Sequence, residues 1–88
     1  MPFYHHVQAS RTDAYAAVRW VKVAWLASLT RAPNPASVRS AAMNALLAID
    51  DEDPRRLATC LRMIEHDERT ARPTRDLAGS AARAVEGA

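Results

Sequence analysis

Prolines at positions 33, 35, 54 and 73 cut this chain into stretches of helical length, and none of those stretches alternates polar with apolar side chains. Proline lacks the N–H that continues a helix and restrains the residue before it, yet it fits the first turn of a following helix. The same residues therefore end one helix and begin the next. The chain reads as all-α, a small bundle of three firm helices plus a marginal C-terminal helix, folded as one domain over residues 1–88.

An N-terminal arm, residues 1–11, precedes a helix predicted from Thr12 to Arg31. Ser10 followed by Asp13 resembles a capping box, and an acid in the first turn suits the helix dipole. Ala14, Val18, Val21, Trp25 and Leu29 recur at helical spacing, while Trp20, Val23 and Ala27 make a second apolar row. Five residues separate the two tryptophans, which turns them about 140° apart. Trp25 is assigned to the core. Trp20 needs cover from elsewhere, either from Phe3 and Tyr4 folded over it or from a second chain.

The second helix is predicted over 35–49, with Asn34 as its N-cap and Pro35 as its first residue. Val38, Ala42, Ala45 and Ile49 form its inner stripe, widened by Met43, Leu46 and Leu47. Ser37, Ser40, Ala41, Asn44 and Ala48 form the opposite face. The third helix, predicted over 54–71, has Asp53 as N-cap and buries Leu57, Cys60, Leu61 and Ile64, with Met63 at the edge and Pro73 as its stop. The marginal fourth helix, 74–85, offers only Leu77, Ala81, Ala84 and Val85 as an apolar stripe. Gly79 weakens it by about 1 kcal/mol relative to alanine.

Composition removes several chemistries. A single Cys excludes a disulfide framework and a Cys-rich zinc site, and two Gly exclude a glycine-rich phosphate loop. The adjacent His5 and His6 point in different directions. Asp67 or Glu68 would complete a ligand set with His66 only if the N-terminus folded back on the third helix, so an exposed pair is the expected reading. The acids Asp50 to Asp53 lack the spaced pattern of a calcium loop and read as helix-capping groups. Cys60 and His66 fall on opposite faces of one helix, and Glu65 with Glu68 share a face that is solvated. No catalytic residue, metal or cofactor is expected, and the chain is not read as an enzyme. The ends carry no secretory signal, and Arg19 and Lys22 interrupt the apolar stretch Ala14–Leu29, so a cytoplasmic chain with no membrane partner is expected.

Charge and the spare apolar row point to partners instead. Residues 1–49 carry five cations against Asp13 alone, whereas residues 50–88 carry seven arginines against nine acids. The expected function is a non-enzymatic protein–protein interaction module, a small accessory regulator or inhibitor, a class that includes proteins carried by phages and other mobile elements. It is expected to form a homodimer through Tyr15, Trp20, Val23 and Ala27 of the first helix, with a further protein partner of unassigned identity. The alternative is a DNA-binding transcriptional regulator that uses Arg55, Arg62, His66 and Arg69 on one face of the third helix, extended by Arg72 and Arg75. The acidic turn before that helix opposes phosphate docking. Intrahelical pairs of Glu65 with Arg62 and Arg69 account for the same charges without any nucleic acid.

Overall fold

A computed structural model describes residues 23–87. Four helices follow one another there: α1 (Val23–Leu29), α2 (Ala36–Asp50), α3 (Pro54–Glu65) and α4 (Arg72–Glu86). Each packs chiefly on its neighbour in sequence, α3 against α4 most extensively, then α2 against α3 and α1 against α2. The all-α reading holds, and no strand occurs among the described residues. The arm 1–11, the Ser10–Asp13 capping box and the predicted helical residues 12–22 lie outside the described residues.

Turn chemistry sets the boundaries. After α1, Thr30 Oγ1 donates to the Ala27 carbonyl and the Asn34 amide donates to the carbonyls of Arg31 and Ser28. Asn34 thus closes the end of α1 and does not cap α2. The N-cap of α2 is Pro35, whose extended backbone supplies the carbonyl that receives the Arg39 N–H. The Ala32–Pro33 peptide in this turn is cis. At the far end of α2, the Glu52 N–H reaches the Ile49 carbonyl and the Asp53 N–H reaches that of Ala48, with Glu52 in the left-handed region at φ 52°. This double closure usually falls to glycine. Asp53 caps α3 as predicted, accepting the Arg56 N–H at 3.1 Å, and Pro54 follows in the first turn.

The predicted third helix, 54–71, is too long by six residues. It stops at Glu65 because Asp67 turns its carboxylate onto its own backbone, accepting the Arg69 N–H at 3.0 Å, a local bond that competes with helix continuation. Pro73 therefore does not end α3. It sits in the first turn of α4, which starts at Arg72 and runs to Glu86, beyond both ends of the predicted 74–85.

Among the described residues the core holds fifteen buried apolar side chains, and seven of them are alanines. Leu26, Leu57, Leu61, Ile64 and Val38 supply the bulk, with Trp25 packed at the border. On α2 the alanines face inward: Ala41, Ala42, Ala45 and Ala48 are buried beside Val38. Met43 and Leu47, predicted to widen the inner stripe, point outward. The predicted outward positions Ala41 and Ala48 are inside. On α4, Ala78, Gly79, Ala82 and Val85 are buried while Leu77 is more than half exposed. The reason is close approach. A helix clasped by neighbours needs short side chains where the backbones come near. At Gly79 a Cβ would overlap the Glu65 carboxylate, so the residue read as a weakness is the seat of an α3–α4 contact.

Candidate functional site

The arginines singled out from the sequence do not make one face. Arg55, Arg62 and His66 line an open groove of about 790 Å³ between α3 and the end of α4, together with Ala58, Met63, Val85 and Glu86. Arg69 lies beyond the end of α3 and reaches the other way, its Nη2 donating to Ser37 Oγ at 2.8 Å. Arg72 pairs with Asp76 at 3.9 Å on an exposed surface, a contact of little energetic weight. Arg75 is half-buried, with its Nε–H enclosed and without a hydrogen-bond acceptor.

Arg62 is committed internally. Its guanidinium donates to Glu65 Oε1 at 2.8 Å and, through Nε and Nη2, to both carboxylate oxygens of Glu86. Such a forked pair is the strong form of an ion pair. Glu65 also lies 3.9 Å from Arg83 and 3.5 Å from His66. The hydrogen bonds from Arg62 hold both Glu65 and Glu86 below the usual carboxylate range and raise Arg62 above its own. The predicted Arg62–Glu65 pair is present. The predicted Glu65–Arg69 pair is not, because the helix ends between them.

A second cluster joins sequence-distant residues. Ser37, in the first turn of α2, donates to Asp67 Oδ2, and Arg69 lies within 3.6 Å of the other carboxylate oxygen. Only 10% of the Asp67 side chain is exposed, and the Ser37 bond is the main reason its acidity is strengthened. Thirty residues separate Ser37 from Asp67, and no local pattern announces that contact.

These clamps set an acid limit on stability. Glu65, Asp67 and Glu86 bind protons less readily folded than unfolded, so their contribution is complete above the ordinary values of 4.5 for Glu and 3.8 for Asp. It is lost as the pH falls through the depressed folded values. The melting temperature should be level near neutrality and drop on acidification below about pH 4.5, the ordinary glutamate value. Arg62→Gln should lower it at neutral pH and flatten the acid limb. An acid limb unchanged in Arg62→Gln would refute the assignment of those carboxylates to Arg62.

Of the residues predicted for self-association, Val23 is half exposed and Ala27 half-buried, while Tyr15 and Trp20 lie outside the described residues. Exposed large apolar side chains also occur at Met43, Leu47, Met63 and Leu77. Met43 and Leu47 stand one turn apart on α2 and were missed from sequence. The available signal was the alanine spacing 41, 45, 48, which marks a close-packed seam on the other side of the same helix.

Cys60 is buried, and burial pushes its thiol pKa above the ordinary value, which leaves it protonated and unreactive. Among the described residues no three His, Cys, Asp or Glu side chains come together as metal ligands. No helix among them is long and apolar enough to cross a membrane. No protein-family model, curated protein or solved structure matches the chain.

Proposed function

We propose that this chain is a non-catalytic helical module that works by binding protein, a small accessory regulator or inhibitor that also self-associates through the first helix. The observation that carries the reading is the inverted use of side-chain size. Alanines fill the helix seams, and Val23, Met43 and Leu47 are left about half exposed on α1 and α2. Paired apolar residues at helical spacing are a binding surface in waiting, unlike single ones scattered over a surface. Trp20, three residues before Val23, adds an aromatic anchor to the same row in sequence. The nucleic-acid alternative has weaker support, since Arg62 is already neutralised by Glu65 and Glu86 and the arginine set is divided between separate surfaces.

Light scattering on the whole chain tests the reading. Trp20→Ala should weaken the dimer and leave the melting temperature of the protomer nearly unchanged, whereas Trp25→Ala, at the core border, should lower that temperature. A mass of one chain at every concentration removes the self-association part, and retention on duplex DNA that falls steeply with salt would favour the alternative.

A further inference from the structure

We infer that the outward face of α2 is a self-complementary docking surface for a second copy of this chain, the two α2 helices packing antiparallel with Met43 and Leu47 at the centre and Arg39 opposite Asp50. The inference rests on the self-association reading above and adds to the first-helix row a second contact surface with a defined geometry.

At 100° per residue, Ala36, Arg39, Ser40, Met43, Leu47 and Asp50 fall within about 100° of arc on one side of α2. All six are exposed, directly opposite the buried Val38, Ala41, Ala42, Ala45 and Ala48. Met43 and Leu47 occupy the middle of that arc and are 51% and 47% exposed. They are flanked by short side chains that let another helix come near. Arg39 and Asp50 stand at opposite ends, eleven residues or about 16 Å apart along the axis, with the apolar pair midway between them.

This arrangement has the symmetry that a two-fold contact requires. Turning the helix end for end about a point near residue 45 sets Met43 on Leu47 of the second copy and Arg39 on its Asp50, and the same two pairings recur on the other half. Parallel packing would set Arg39 beside Arg39 and Asp50 beside Asp50, so charge selects the antiparallel form. Among the described residues neither Arg39 nor Asp50 forms an ion pair, whereas the adjacent Asp51 is engaged by Arg56 at 3.4 Å. An unrelated partner gives no reason for one face to match its own reversal. A second copy does.

The test is sedimentation of the full chain from low micromolar to near-millimolar concentration. The wild type should pass from one chain to two. The double variant Met43→Glu, Leu47→Glu should remain one chain throughout with its melting transition retained, since both side chains are already outside the core. Arg39→Glu alone and Asp50→Arg alone should each weaken the dimer by about tenfold or more through like-charge contacts. Their equimolar mixture should restore wild-type affinity, because each altered end then meets an opposite charge. A dimer that survives the double variant, or a mixture no tighter than its components, would overturn this surface while leaving self-association standing. A wild type that is one chain at every concentration would overturn both.

Discussion

Leu61→Ala should cost about 2–5 kcal/mol of unfolding free energy, the range for emptying a fully buried leucine site. Leu61 has no solvent exposure and lies on α3, the helix that packs on both α2 and α4. Seven of the fifteen core residues among those described are alanines, so the core has few long side chains that could fill the space. Small domains hold only about 5–15 kcal/mol in total, so this one change should remove a large share of the stability and shift the urea midpoint accordingly. A cost below about 1 kcal/mol would mean that Leu61 is not the centre of the core.

The second large effect is an inversion on α2. Ala45→Leu should destabilise by about 1–3 kcal/mol or more, because Ala45 is fully buried in a seam that has no room for three further carbons. Leu47→Ala, which removes a large apolar group two residues away, should stay within about 0.5 kcal/mol at concentrations below dimer formation. Adding hydrophobicity harms and removing it does not, the reverse of what hydropathy alone implies. Urea melts of the two variants give the answer directly, and a costly Leu47→Ala with a neutral Ala45→Leu would contradict the orientation of α2.

The elements that sequence reasoning located well are those governed by local chemistry. Asp53 with Pro54 marks the start of α3 because a carboxylate one residue before a proline satisfies a free N–H at the helix end and fixes the backbone there. The inner residues Leu57, Cys60, Leu61 and Ile64 of α3 repeat at helical spacing and are all buried. The misassigned faces share one cause. On α2 and α4 large apolar side chains suggest an inward face, yet Met43, Leu47 and Leu77 lie outside. The end of α3 was misplaced because Asp67 reads as one more surface acid until its bonds to Arg69 and Ser37 are seen.

The candidate surfaces divide in the same way. The arginine face looked continuous only while the third helix was carried on to residue 71. With α3 ended at Glu65, Arg69 crosses to Ser37 and Arg62 closes on Glu86. The outward α2 face is marked in sequence only by the alanine seam opposite it, since nothing local separates an inward leucine from an outward one.

The amino-acid order by itself determined that this chain is helical, roughly where its turns fall and that Asp53 caps α3, because those outcomes rest on bonds within a few residues. The tertiary structure alone decided which side of α2 and α4 faces in, where Glu65 finds its seat over Gly79 and which arginines are already spoken for. Those outcomes depend on how near two backbones can come, a distance set jointly by both helices and written in neither one.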